Sequence, residues 1–92
     1  MEYRPPRPLV DLDKFYGATG LEREKIEEEI RRQNSAWYRE RIRKLGTDFI
    51  VFGVNSGEVC QHGPGRIPNH EDQRKLAVRN REPVLVWAEL SF

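Results

Sequence analysis

The chain has 92 residues, the length of one domain, and its 16 Lys and Arg nearly cancel its 15 Asp and Glu. The hydrophobic share of 37% and the single cysteine exclude collagen, a disulfide scaffold and a membrane span. Nothing near the start resembles a secretory signal, so we expect a cytoplasmic protein. The charges are unevenly placed, because residues 22–30 are acidic whereas residues 31–44 and 66–81 are basic.

The first eight residues hold three Pro and two Arg, which predicts an extended, polyproline-like arm outside a single domain of residues 9–92. Extended prolines lose little entropy on binding, and Tyr and Arg are favoured interface anchors. We therefore expect the arm to pack on a partner or a neighbouring subunit through Tyr3, Arg4 and Arg7. A ligand for an aromatic-lined groove and a disordered tail are the alternatives.

Residues 21–45 predict one long helix, since neither Gly nor Pro interrupts them. Thr19 is the predicted N-cap and Gly46 the predicted stop. The polar run of residues 33–35 falls where the apolar stripe should continue. The helix is therefore expected to kink or break there, unless that turn faces solvent or a partner. The apolar residues near one face are Ile26, Ile30, Trp37, Ile42 and Leu45, with Tyr38 beside them.

The second half of the chain predicts a small sheet. Residues 48–54 form a strand that is apolar on both faces, and residues 55–57 have the composition of a hairpin turn before a return strand over 58–61. Two Gly and two Pro predict a loop over 62–69. For residues 70–82 we favour a helical turn at 70–74 and a strand at 75–79, although Asn69 is also a candidate helix cap.

Residues 83–92 predict another strong strand. Its shared face would hold Val84, Val86, Ala88, Leu90 and Phe92. The predicted fold class is thus α+β, with one long helix packed on an antiparallel sheet of three or four strands and an extended arm.

Two short motifs near the hairpin contain residue types that occur in metal, catalytic or phosphate-binding sites. Cys60, His62 and His70 are spaced so that they could hold zinc, and Cys60 with His62 could form a nucleophilic pair on one strand face. The alternative is a set of exposed strand and loop side chains. The glycine-rich stretch of residues 53–57 follows a strand, as a phosphate loop would, but no helix opens after it.

The basic half of the long helix favours a nucleic-acid interface as an alternative function. Arginines interleaved with aromatic rings suit phosphate contacts and base stacking, although the sequence pI of 7.9 is low for such a protein. The cations concerned are Arg31, Arg32, Arg39, Arg43 and Lys44.

The preferred hypothesis is a non-enzymatic interaction protein without a cofactor. It would bind another protein or copies of itself as an assembly or accessory subunit, a role that small viral proteins often have. The expected binding residues are Tyr3, Arg4, Arg7, Trp37, Tyr38 and Arg41.

Overall fold

The computed structural model describes residues 2–88, and this part of the chain is an α+β domain, as predicted. Three antiparallel strands form one sheet, and helices pack on both of its faces. In chain order the elements are α1 (Leu12–Gly17), α2 (Gly20–Leu45), β1 (Phe49–Gly53), β2 (Val59–Gly63), α3 (His70–Asn80) and β3 (Val84–Ala88).

Strand β1 lies in the middle of the sheet, between β2 and β3, and all five of its residues are buried. Successive side chains of a strand point to opposite faces. Ile50 and Phe52 accordingly pack with α2, whereas Phe49 and Val51 pack with α3. The two covered faces confirm the prediction of a strand that is apolar on both sides.

Helix α2 runs over nearly the predicted residues and kinks at Asn34, whose φ of −119° and ψ of 16° are not helical. The polar interruption therefore does bend the helix. Gly46 ends α2 in the left-handed region, with a φ of 61°, as predicted. Thr19 occupies the predicted N-cap position, but its side chain makes no capping hydrogen bond.

The strand predicted at 75–79 is wrong, because these residues belong to α3. Asn69 caps this helix by accepting a hydrogen bond from the backbone N–H of Asp72 at 2.8 Å. The strand prediction depends on Leu76 and Val78, which lie two positions apart, the spacing of one strand face. In the helix Ala77 is the buried residue and Val78 is 63% exposed, so the alternation did not reflect burial.

Helix α1 was not predicted. Asp11 caps it by accepting from the N–H groups of Asp13 and Lys14, and Phe15 fixes it to the core. In β3, Val84, Val86 and Ala88 pack on the α3 side as expected, whereas Leu90 and Phe92 lie outside the described residues. Within residues 2–88, no helix combines the length and apolar character needed to cross a membrane.

Candidate binding groove between the arm and α2

The N-terminal arm packs on its own domain. The ring centroid of Tyr3 lies 4.9 Å from that of Trp37 and 6.0 Å from that of Phe52, and its hydroxyl donates to the carbonyl of Val54. Burial, reinforced by the negative charge of Glu82, raises the pKa of Tyr3 well above 10.0. The expectation of an arm outside the domain is therefore corrected, since the aromatic ring of the arm packs against the core.

Asn34 holds one end of the arm. Its Oδ1 accepts from the backbone N–H of Arg4 at 2.7 Å, and its Nδ2 donates to the carbonyl of Arg4 at 3.0 Å. Nδ2 also donates to the carbonyl of Ile30, at 3.0 Å. A buried amide needs such partners to offset its loss of water, and the side chain is only 2% exposed. The polar residue that interrupts the helix stripe is thus the residue that binds the arm.

Asn55 holds the chain just beyond the other end of the arm, at Val10, in the same way. Its Oδ1 accepts from the N–H of Val10 at 2.9 Å, and its Nδ2 donates to the carbonyl of Val10 at 2.8 Å. Together, Asn34 and Asn55 are called here the asparagine clamps. Both side chains bond to main-chain atoms. Residues 5–9 lie between the two clamped residues, Arg4 and Val10, and neither asparagine bonds to them.

The hairpin loop that carries Asn55 is itself fixed by Glu82. One carboxylate oxygen of Glu82 accepts from the N–H groups of Asn55 and Ser56 at 2.8 and 2.9 Å, and the other accepts from the Ser56 hydroxyl at 2.7 Å. The glycine-rich loop therefore does bind an anion, but the anion is a carboxylate of the same chain. A Cβ on Gly53 would lie 2.4 Å from the Glu82 side chain, which explains this glycine.

A groove of about 1150 Å³ opens between residues 6–11 and the first half of α2. Ile26 on α2 is half-buried and Leu9 on the arm side is 65% exposed, so these two side chains supply apolar surface, whereas the lining residues Phe15 and Ile30 are buried. The remaining lining residues are Pro6, Arg7, Pro8, Val10, Asp11, Lys14, Gly17, Ala18, Glu22, Lys25, Glu29 and Gln33.

Of these lining residues, the sequence predicts only Arg7 as a binding residue. A usable signal was present, because Asp11 followed by apolar residues at positions 12, 15 and 16 is the pattern of a short capped helix. Recognising α1 would have indicated that the chain turns back at residue 17 and leaves a channel beside α2.

The structure separates the predicted partner-binding residues into two sets. Trp37 and Tyr38 are 4% and 0% exposed and belong to the core, so neither ring is offered to a partner. The ring of Tyr38 stacks on that of Trp87 with centroids 4.8 Å apart. Arg4 and Arg7 are exposed, and the exposed Arg41 guanidinium lies 5.4 Å from the Trp37 ring centroid.

Most of the basic side chains proposed for nucleic acid have partners within the chain. Arg31 lies 3.5 Å from Glu27 and donates to the carbonyl of Val86 at 3.4 Å. Arg32 and Lys44 pair with carboxylates of α2 at 2.6 and 2.8 Å, and Arg39 also has a partner. Arg43 is exposed. Intrahelical pairing therefore neutralises much of this positive surface.

The Cys/His site is not assembled. In residues 2–88, no three His, Cys, Asp or Glu side chains lie close enough to hold a metal ion. A bulge places Cys60 between the paired residues Val59 and Gln61, so Cys60 packs on the α3 side while His62 pairs with Ile50 of the α2 side. Burial also raises the pKa of the Cys60 thiol, which disfavours the nucleophilic thiolate.

Compared with protein-family models, with curated proteins and with solved structures, the chain has no significant match. Its function is therefore inferred from its own surface.

Proposed function

We propose that this chain is a non-enzymatic accessory module that binds an apolar segment of another protein chain in the groove between the arm and α2. The observation that carries this proposal is a groove with accessible apolar surface at Leu9 and Ile26 and a wall fixed at both ends by the asparagine clamps. A wall that is already ordered loses little conformational entropy on binding, which favours association.

The shape and chemistry of the groove suit a peptide segment better than a small molecule. Small-molecule pockets span roughly 300–1,000 Å³ and contain a few converging polar groups. Here the volume of about 1150 Å³ is larger, and the lining contains charged side chains of both signs. An apolar centre within a polar rim is the usual arrangement of a protein interface.

Charge complementarity narrows the chemistry of the expected segment. Of the three carboxylates in the lining, Asp11 caps α1, and Glu29 is held by Arg32 and Gln33, which lower the pKa of the Glu29 carboxyl. Glu22 is the lining carboxylate that has no such partner in the described part of the chain. Among the described residues, the lining cations have no comparable ion pairs; they are Arg7, Lys14 and Lys25. We therefore expect an apolar segment flanked by acidic residues.

Site-specific photo-crosslinking tests this proposal. A photoreactive phenylalanine analogue replaces Leu9 in the full chain, expressed in the cells from which the sequence comes. The matched control carries the analogue in place of Val78, which is 63% exposed against 65% for Leu9 but lies on α3. We expect a discrete protein adduct from the Leu9 position and none from the Val78 position, with mass spectrometry identifying the captured segment.

The captured product distinguishes the classes of occupant. An adduct of twice the chain mass identifies a second copy in the groove, and an adduct with a different protein identifies a separate partner. Equal labelling from both positions, or no adduct from Leu9 in cells that contain the folded chain, would contradict the proposal.

The nucleic-acid alternative has weaker support. Its positive surface on α2 is reduced by the ion pairs of Arg31, Arg32 and Lys44. Binding of this kind weakens steeply with salt and depends on unpaired cations. Absence of binding to DNA or RNA at low salt would exclude it.

A further inference from the structure

A second concave surface lies on α3, which covers the face of the sheet opposite α2. This cleft has a volume of about 370 Å³, within the range of small-ligand sites. Its walls come from β2, from the loop before α3 and from α3 itself. The lining residues are Gln61, Arg66, Pro68, Asp72, Lys75, Leu76 and Arg79.

Three cations from two segments converge on this cleft. Lys75 and Arg79 are four residues apart and share one side of α3, and Arg66 approaches from the preceding loop. Within residues 2–88, neither Arg66 nor Arg79 forms an ion pair or a side-chain hydrogen bond. The nearest carboxylate to Lys75 is that of Glu71 at 3.9 Å, and both side chains are mostly exposed, so this pair is weak.

The local charge is therefore positive and largely uncompensated. Asp72 is the one carboxylate among the lining residues, against three cations. Like charges brought together repel, and a bound anion relieves that repulsion. The amide of Gln61 adds a neutral donor on the wall formed by β2.

We propose that this cleft binds a compact phosphate-bearing anion, such as pyrophosphate or the phosphate chain of a nucleotide. Arginine guanidinium groups match phosphate oxygens with two parallel hydrogen bonds, and lysine adds a point charge. A compact anion in the cleft meets the carboxylate of Asp72 alone, whereas a long polyanion running along α3 would also meet that of Glu71, which does not line the cleft. The site is separate from the groove of the proposed function and does not depend on it.

Isothermal titration calorimetry of the full chain with pyrophosphate tests the proposal. The variants are Arg66→Gln and Arg79→Gln, and the matched control is Arg43→Gln, which removes the same charge from an exposed position on α2. Hydrogen bonds to charged groups contribute enough that each cleft variant is expected to bind about tenfold more weakly or worse. The control is expected to bind like the parent chain.

Two further titrations distinguish the sources of the phosphate group. A nucleoside triphosphate and a single-stranded oligonucleotide each replace pyrophosphate under the same low-salt conditions. Saturable one-to-one binding of pyrophosphate or the nucleotide, weakened only by the cleft variants, supports the proposal. Binding of the oligonucleotide alone, no binding of either small anion, or equal weakening by Arg43→Gln overturns it. Far-ultraviolet circular dichroism checks that each variant is folded.

Discussion

At the scale of single residues, Asn34 joins a helix to an extended segment through one buried amide. In the sequence, Asn34 is part of a polar run that interrupts the apolar face of the helix. The interrupted stripe left a kink or break and a turn facing solvent or a partner as alternatives, and the structure shows the kink. A polar side chain in a core-facing turn must be satisfied by something other than apolar contacts. The stripe did not predict the partner, since Arg4 is 30 residues away and is bound through its backbone, which has no sequence signature.

Replacing Asn34 by Ala tests this role. The variant loses three hydrogen bonds and leaves the carbonyl of Ile30 without the Asn34 amide, so we expect the free energy of unfolding to fall by about 2–3 kcal/mol. Urea denaturation measures the change. The control is Gln33→Ala, an exposed neighbour expected to change stability by less than about 0.5 kcal/mol. Equal effects of the two substitutions would contradict the clamp role.

At the scale of elements, the hairpin loop and the end of α2 both depend on left-handed glycines, but for different reasons. Gly57 has a φ of 74°, and a Cβ there would lie 2.5 Å from the Tyr3 ring. Gly46 has a φ of 61°, and a Cβ there would meet nothing within 4 Å. A substitution at Gly46 therefore introduces backbone strain alone, whereas one at Gly57 introduces the same strain and also displaces Tyr3 of the arm.

We expect Gly46→Ala to destabilise the chain by about 1–2 kcal/mol, the cost of a left-handed non-glycine residue. Gly57→Ala is expected to cost more, because the added methyl group also displaces Tyr3 from Trp37. Denaturation curves give the free energies, and Trp fluorescence reports the displaced ring. A Gly57 variant no less stable than the Gly46 variant, with unchanged fluorescence, would show that the Tyr3 contact is unimportant.

The elements differ in how clearly the sequence predicts them. Helix α2 and strand β1 are evident because long uninterrupted patterns and doubly buried runs are strong local signals. The sequence predicts a strand within α3 because the exposed side of this helix carries an apolar residue, Val78, whose spacing from Leu76 resembles strand alternation. Helix α1 is six residues long, too short for periodicity to stand out. The groove depends on α1 and the arm, the two segments that the sequence described least well.

At the scale of the whole molecule, burial raises the pKa of every tyrosine of the chain above 10.0: Tyr3, Tyr16 and Tyr38. In the unfolded chain these phenols ionise near pH 10, whereas in the folded chain they ionise only at higher pH. The unfolded state then binds fewer protons, so stability is complete below about pH 10 and is lost as the pH rises further.

Alkaline titration checks this expectation. Tyrosinate absorbance is expected to appear together with loss of circular dichroism, because ionisation requires unfolding. Tyr3→Phe is the informative variant: it removes one coupled group and is expected to lose stability less steeply above pH 10. Its hydrogen bond to Val54 is also lost, which lowers stability at neutral pH by about 1 kcal/mol. Tyrosinate that forms near pH 10 without unfolding would contradict the burial argument.

The asparagine clamps attach the arm in a way that does not depend on which side chains the arm carries. Asn34 and Asn55 bond to main-chain atoms of Arg4 and Val10. The side chains of residues 5–9, between these two fixed points, therefore take no part in the attachment and are free to vary. Replacing these five residues would alter one side of the groove while both points of attachment persist. New binding preferences can therefore arise from substitutions in residues 5–9, while the sheet and its helices stay unchanged.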